Sequence, residues 1–229
     1  MGQGRLDPLQ ERVLSVLAAA CPGWRLTGGA ALAGFHLAHR TTRDLDLLWG
    51  GHERLGRVPE EVRVALAADR LSVATVQTTP SFHRFRVTDG SFVTVLDLVA
   101  EPVAPVELPE VHRHGETEVL VDTPHEILVN KLCALIQRSE LRDLVDVHRL
   151  LDSGGDLRRA LEDAPRKDSG FSPLALAWSL KELPMSAQAK AEGWPEDRIA
   201  AVQHCIQAHR YRDLSTSPQT LEARVVFDV

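Results

Sequence analysis

Two carboxylates, Asp44 and Asp46, stand two residues apart in segment 44–49, which begins with alternating acidic and apolar residues. This alternation is typical of a β-strand, in which side chains at positions i and i+2 point to the same face. Carboxylates this close repel each other, and a divalent cation such as Mg²⁺, which prefers oxygen ligands, removes that conflict. The pair therefore predicts a metal site. The alternative is a strand whose acidic face is only solvated, because a D-x-D pattern by itself is a weak motif.

A third carboxylate, Asp97, lies within the apolar segment 92–99. An ionised carboxylate in the middle of an apolar strand costs free energy unless it is paired or binds a metal ion. The alternative is that Asp97 lies at the exposed end of that strand. We expect Asp97 to complete the metal site that Asp44 and Asp46 begin.

Glycine and arginine residues precede the first carboxylate pair. A Gly-Gly pair between a predicted strand and a predicted helix lets backbone N–H groups approach a phosphate, at a helix end where the dipole favours anions. Guanidinium groups also suit phosphate oxygens. The alternatives are a simple tight turn and arginines that only screen the aspartates. The predicted nucleotide-binding residues here are Gly28, Gly29, Arg40 and Arg43.

A second group of polar residues lies in segment 131–151. Asp143 and Asp146 are three positions apart and would share one face of a helix, and Lys131 lies in the helix predicted before them. The alternative interpretation is a pair of amphipathic core helices whose charged side chains face solvent.

Apolar periodicity and turn residues predict the elements that must position these side chains. Asp89-Gly90 predicts a hairpin between two of the strands, and segment 101–115, with three prolines, is predicted to be a connection. The predicted strands are 24–27, 44–49, 72–77, 82–88, 91–99 and 118–121. The predicted helices are 8–20, 30–39, 59–70, 124–138, 140–151, 156–165, 172–182 and 195–210, and the tail 221–229 is a strand or a docking arm.

The order of these elements predicts an α+β protein. Strands dominate residues 1–122, which we expect to form an α/β domain with a mixed sheet flanked by helices. Residues 123–229 are expected to form a mainly helical domain. Segment 152–229 carries no assignable motif, so substrate choice is expected to depend on it and on the connection 101–117.

Composition narrows the class of protein. The chain has 229 residues, of which 44% are hydrophobic and 25% charged, with a net charge of −6. These values are ordinary for a globular protein and argue against a strongly basic DNA-binding protein. The three cysteines form no C-x-x-C pair, which argues against a zinc motif and fits a reducing cytoplasm. No apolar run approaches the ~20 residues that a membrane helix needs, so we expect no membrane association.

Segment 27–49, TGGAALAGFHLAHRTTRDLDLLW, together with Asp97 resembles the DNA polymerase β-type nucleotidyltransferases. Segment 131–151, with KLCAL, Arg138 and RDLVD, is similar to a later motif of the AbiEii/AbiGii-like toxin nucleotidyltransferases, a narrower family within that superfamily. Two positions depart from the pattern. Gly29 stands where many members have Ser, which removes a hydroxyl contact to phosphate, and Thr42 replaces the usual Ser but keeps the hydroxyl.

The resemblance implies a role for each matching residue. Asp44 and Asp46 would bind two Mg²⁺ ions, and Asp97 would bind the catalytic ion and act as the base for the acceptor hydroxyl. Lys131 would contact the nucleotide phosphates and Asp143 would organise the active site. Asp146 would assist in nucleotide binding.

The resemblance also implies an enzyme that transfers a nucleoside monophosphate from an NTP to an acceptor hydroxyl and releases pyrophosphate. The implied acceptor is the 3′ end of tRNA, and the implied biological role is that of a toxin with an antitoxin protein as partner. Two alternatives stay open at this point. One is a nucleotidyltransferase that modifies a protein or a small molecule, and the other is a non-catalytic nucleotide-binding protein of the same fold.

Overall fold

The computed structural model describes residues 6–115, 117–138 and 140–182. The chain divides into two compact units, Met1–Ile127 and Leu128–Val229. The boundary expected from the sequence, between residues 122 and 123, precedes this division. The predicted helix 195–210 and the tail 221–229 lie outside the described residues.

The first unit is built on a seven-stranded mixed sheet. Strands β2 and β5 run parallel, as do β1 and β7, and the other neighbours are antiparallel. The spatial order is β3-β4-β5-β2-β1-β7-β6. The strands are β1 (Arg25–Thr27), β2 (Asp44–Gly50), β3 (Ser72–Thr78), β4 (Phe82–Thr88), β5 (Val93–Glu101), β6 (Glu110–His114) and β7 (Thr117–Val121).

Three helices accompany this sheet: α1 (Pro8–Ala20), α2 (Gly28–Ala31), which continues into a π-helical turn over Leu32–His36, and α3 (Val58–Ala68). A capping box begins α1, because the Asp7 carboxylate accepts from the backbone N–H of Gln10 and the Gln10 side chain accepts from that of Asp7. The Gln10 amide also donates to Thr94 Oγ1 on β5. Helix α1 therefore covers the sheet face that carries Thr94.

Between residues 122 and 182, the structure describes the helices α4 (Pro124–Arg138), α5 (Leu141–Asp152), α6 (Leu157–Lys167) and α7 (Pro173–Glu182). Helix α4 begins in the first unit and continues into the second. The predicted fold class, an α+β protein with a mixed sheet flanked by helices and a helical C-terminal region, is confirmed. Within the described ranges, no helix is long and apolar enough to cross a membrane.

Two local predictions were wrong. Segment 101–115 is not a plain connection, because β6 lies within it and pairs with β7. Strand β6 is an edge strand with mostly exposed side chains, so it lacks the apolar alternation by which a strand is recognised. The helix expected over 30–39 begins at Gly28 and ends at His36, where the N–H groups of Leu37 and Ala38 both donate to the Leu32 carbonyl.

Candidate active site

Asp44, Asp46 and Asp97 share one face of the sheet. Leu45 and Leu47, which alternate with the first two aspartates, are completely buried on the other face. In the parallel pairing of β2 with β5, Asp46 is the direct neighbour of Asp97. Adjacent strands lie ~4.8 Å apart, so Asp46 and Asp97 are neighbours across the sheet, and Asp44 lies two residues away from Asp46 on the same face of β2.

Arg84 is a fourth charged residue on this face. The antiparallel pairing of β4 with β5 places Arg84 opposite Asp97. Its Nε donates to Asp97 Oδ1 at 2.7 Å and its Nη2 donates to Asp97 Oδ2 at 2.6 Å. The hydrogen bonds to Asp97, supported by the charges of Asp44 and Asp46, raise the pKa of the Arg84 guanidinium although burial opposes the rise. Arg84 therefore experiences the field of all three carboxylates.

The donor set of this face suits a divalent ion, because three carboxylates supply the oxygen ligands that Mg²⁺ prefers. Among residues 6–115, 117–138 and 140–182, no group of three or more His, Cys, Asp or Glu side chains is gathered closely enough to hold a metal ion. At Asp97, both carboxylate oxygens accept hydrogen bonds from Arg84. The residues fit an ion in type, provided that at least one oxygen of Asp97 is released from Arg84.

The Gly-Gly segment approaches the carboxylate face closely. Gly28 has a φ of +65°, and a Cβ atom at this position would lie 2.5 Å from Asp46 Oδ2. A Cβ atom at Gly29 would lie 2.7 Å from Nη2 of Arg40. The structure thus places Gly28 beside Asp46 and Gly29 beside Arg40. The Arg43 side chain is exposed. The backbone carbonyl of Arg43 accepts a hydrogen bond from the backbone N–H of Val95 at 3.0 Å.

We predict that Gly28→Ala impairs the carboxylate face. The methyl group would displace the Asp46 carboxylate, and a left-handed φ disfavours any side chain with a Cβ atom. We expect a decrease in kcat/KM of roughly 100-fold, because small displacements of catalytic groups have effects of that size. The strain should also lower the free energy of unfolding by about 1–2 kcal/mol. Gly90→Ala is the matched control, since Gly90 has a φ of +96° but no atom within 4 Å of an added Cβ. Equal losses of activity in the two variants would contradict the prediction.

Lys131, Asp143 and Asp146 form a cluster within the second unit. Lys131 Nζ lies 2.6 Å from Asp143 Oδ1 and 2.9 Å from Asp146 Oδ2, and the two aspartates are 1% and 0% exposed. Arg138 adds a second cation, with Nε donating to Asp143 Oδ2 at 2.8 Å. The spacing in the sequence correctly predicted that the two aspartates share a helix face, but that face is buried and does not point to solvent.

The charges in this cluster stabilise one another. Burial alone would lower the pKa of Lys131, but the charges of Asp146 and Asp143 outweigh it and leave that pKa raised. Burial would likewise raise the pKa of Asp143, but the hydrogen bond from Arg138 and the charge of Lys131 leave it lowered. Lys131 and Asp143 are therefore both charged at neutral pH. The roles of Lys131 and Asp143 in catalysis, and of Asp146 in nucleotide binding, stay predictions.

Sequence reasoning missed Arg84. The alternation in segment 82–88 places Arg84 and Arg86 on one face, which is a detectable signal, but the partner of each depends on the register of the hairpin. Spacing in the sequence identified that Asp143 and Asp146 share a helix face, but it did not identify their contact with Lys131.

The chain is similar to known nucleotidyltransferases, in sequence to a family profile and in fold to solved structures. The profile of the family described as "Nucleotidyl transferase AbiEii toxin, Type IV TA system" matches residues 12–213. No curated protein sequence matches the chain. Among solved structures, the chain is similar to MenT4, the nucleotidyltransferase toxin Rv2826c of Mycobacterium tuberculosis H37Rv, at 14% identity with a TM-score of 0.60, over 95% of this chain and 85% of that one.

Two further solved structures are more distant in shape. An antigenic nucleotidyltransferase-like protein from Paracoccidioides brasiliensis has 19% identity and a TM-score of 0.49, over 79% of this chain and 92% of that one. The antibiotic-resistance factor ANT(2'')-Ia has 15% identity and a TM-score of 0.45, over 69% of this chain and 90% of that one. The likeness to MenT4 shows a shared fold.

The sheet, its carboxylate face and the family match define the chain as a nucleotidyltransferase, an enzyme that uses an NTP and releases pyrophosphate. The match covers most of the chain, and the protein belongs to the AbiEii nucleotidyl transferase toxin family of type IV toxin–antitoxin systems. The predicted family is confirmed. Family membership supports transfer of a nucleoside monophosphate and a role as a toxin with an antitoxin partner, and nucleotidyltransferases generally require a divalent metal ion.

Proposed function

We propose that this protein is a Mg²⁺-dependent toxin of the cytoplasm that transfers a nucleoside monophosphate from an NTP to the 3′ end of tRNA. The observation that carries the proposal is the strand register that places Asp46 beside Asp97, with Asp44 on the same face. We also propose that an antitoxin protein restrains this activity. The net charge of −6 indicates that RNA contacts are confined to a local surface.

Each carboxylate has a proposed role. Asp44 and Asp46 would bind Mg²⁺, and Asp97 would supply a further oxygen ligand and accept the proton of the attacking hydroxyl. The bound ions would stabilise charge on the attacking and leaving oxygens. Asp44 and Asp46 are half-exposed and so accessible to a substrate, whereas Asp97 is buried.

The Gly-Gly segment and the arginines would bind the phosphates. The close approach of Gly28 to Asp46 supports a role for the Gly28 backbone beside the proposed metal ligands. Gly29, Arg40 and Arg43 are proposed to contact phosphate oxygens, for which guanidinium groups provide paired donors. We propose that Lys131 and Asp143 support the active site by maintaining the fold of the helical unit, with Asp146 as their partner.

The direct test uses labelled NTPs, one base at a time, with Mg²⁺ and total bacterial RNA. We expect label in tRNA-sized bands with the wild-type protein and none with Asp46→Ala, on a denaturing gel. Removal of the metal with EDTA should also abolish labelling, and added Mg²⁺ should restore it.

The other outcomes have definite meanings. If label entered protein or small molecules but not RNA, the protein would still be a nucleotidyltransferase, but its acceptor would not be tRNA. Labelling by both Asp44→Ala and Asp46→Ala at the wild-type rate would contradict the proposed site. Binding of NTP without transfer to any acceptor would support a non-catalytic nucleotide-binding role.

A further inference from the structure

The fork-like contact between Arg84 and Asp97 engages the carboxylate that the proposed metal site needs. Both oxygens of Asp97 accept from Arg84, at 2.7 and 2.6 Å. An ion that bound Asp97 would have to take at least one of these oxygens. A divalent ion next to a guanidinium is also repelled by it, so the ion and the contact with Arg84 compete for Asp97.

We propose that Arg84 is a positioning residue that holds Asp97 in the structure seen here and must withdraw before Asp97 can bind an ion. Arg84 thereby sets the ion affinity of the carboxylate face. This inference rests on the proposed function, because it needs Asp44, Asp46 and Asp97 to be the metal ligands. It adds a residue that the resemblance does not assign.

Arg84 can withdraw without losing all of its contacts. Its side chain is 40% exposed, whereas that of Asp97 is 7% exposed. Its Cζ atom also lies 5.5 Å from the centroid of the Phe82 ring, within the range of a cation–π contact. Phe82 and Arg84 lie on the same face of β4, so the ring offers the guanidinium a position that does not involve Asp97. The buried carboxylate is the fixed partner and the arginine is the mobile one.

Arg84 also neutralises part of the charge on this face. Three carboxylates on adjacent strands repel one another, and an opposite charge at hydrogen-bond distance reduces that repulsion. Exchange of the arginine for an ion would keep a cation at Asp97 throughout. The arginine should therefore make the ion-free protein more stable and ion binding weaker.

Arg86 provides a matched control. It lies two residues further along β4 on the same face, but its partner on β5 is Val95 and not a carboxylate. Its side chain is exposed. Arg86→Gln therefore removes the same charge from the same face without removing a contact to Asp97.

The experiment measures binding of Mn²⁺, an ion that also takes oxygen ligands, by electron paramagnetic resonance on full-length protein without NTP. We expect Arg84→Gln to bind Mn²⁺ roughly tenfold to a hundredfold more tightly than wild type, the scale of a charge-assisted contact. Arg86→Gln should stay within about threefold of wild type, because exposed charges interact weakly. Asp46→Asn combined with Arg84→Gln should lose the tight binding.

Thermal unfolding gives an independent readout. In EDTA, Arg84→Gln should melt below wild type because Asp97 loses its partner, and Mn²⁺ should raise its Tm by more than it raises that of wild type. If Arg84→Gln does not fold, Arg84→Lys keeps the charge but forms at most one of the two hydrogen bonds, and it should bind Mn²⁺ more tightly than wild type.

Three results would overturn the inference, and they are distinguishable. Wild type and Arg84→Gln could bind Mn²⁺ with equal affinity, and Asp46→Asn could abolish binding in both. That result would support the metal site and exclude competition by Arg84. An equal gain of affinity in Arg86→Gln would show a general effect of charge. Absence of any binding that depends on Asp46 would overturn the proposed metal site, and the role of Arg84 with it.

Discussion

Asp46→Asn is expected to lower kcat/KM for nucleotidyl transfer by about 10³-fold or more, a loss of roughly 4 kcal/mol of transition-state stabilisation. Asparagine keeps the shape of the side chain but removes the negative charge. Asp46 is the residue at which two features meet, because it neighbours Asp97 across the strands and lies against Gly28. The measurement is the initial rate of pyrophosphate release at several NTP concentrations.

The fold should survive this substitution. Removal of one of three clustered carboxylates reduces their mutual repulsion, so we expect the Tm to fall by no more than a few degrees. Glu118→Gln is the control, because Glu118 is an exposed carboxylate on β7 of the same sheet, and its activity should equal that of wild type. If Asp46→Asn were fully active, Asp46 would not be a catalytic residue. If Asp46→Asn did not fold, the same measurement would be made on Asp44→Asn.

The carboxylate face could be predicted from the sequence because it depends only on alternation within strands. Asp44 and Asp46 had to share a face once segment 44–49 was recognised as a strand. The apolar surroundings of Asp97 likewise predicted a constrained carboxylate. The family resemblance added the expectation that the two strands meet, and the parallel pairing of β2 with β5 agrees with it.

The partner of Asp97 could not be predicted, because it depends on the length of a hairpin loop. With Asp89-Gly90 as a two-residue turn between strands 82–88 and 91–99, Phe82 would lie opposite Asp97. In the structure, Asp89 Oδ1 accepts from the N–H groups of Ser91 and Phe92, each at 2.8 Å. These bonds extend the loop by two residues, so Thr88 pairs with Val93 and Arg84 pairs with Asp97.

The environment of Lys131 was also beyond sequence reasoning. Spacing along a helix indicates which side chains share a face, but the element that covers this face depends on how the helices pack. The cluster combines two completely buried carboxylates with a buried ammonium group. In a protein interior, charges of this kind persist only when each is paired. The physical consequence is a strong dependence of stability on Lys131.

We predict that Lys131→Met lowers the free energy of unfolding by roughly 3–5 kcal/mol, because removing one partner of a buried ion pair leaves an uncompensated charge. Methionine has a similar length and preserves packing. Chemical denaturation followed by circular dichroism measures the change. Arg138→Met is the matched control. Its side chain is 53% exposed, and Lys131 still pairs with Asp143 when Arg138 is replaced, so Arg138→Met should destabilise the fold less than Lys131→Met does.

The pH dependence distinguishes this electrostatic effect from a loss of packing. The lowered pKa of Asp143 and the raised pKa of Lys131 mean that their pairing stabilises the fold above the unfolded pKa of Asp, ~4, and below that of Lys, ~10. This stabilisation is lost in wild type as the pH falls through the lowered pKa of Asp143. The difference between wild type and Lys131→Met should therefore be largest near neutral pH and decrease in acid. A variant of unchanged stability that had lost transfer activity would instead assign Lys131 to the nucleotide phosphates, as the family resemblance implies.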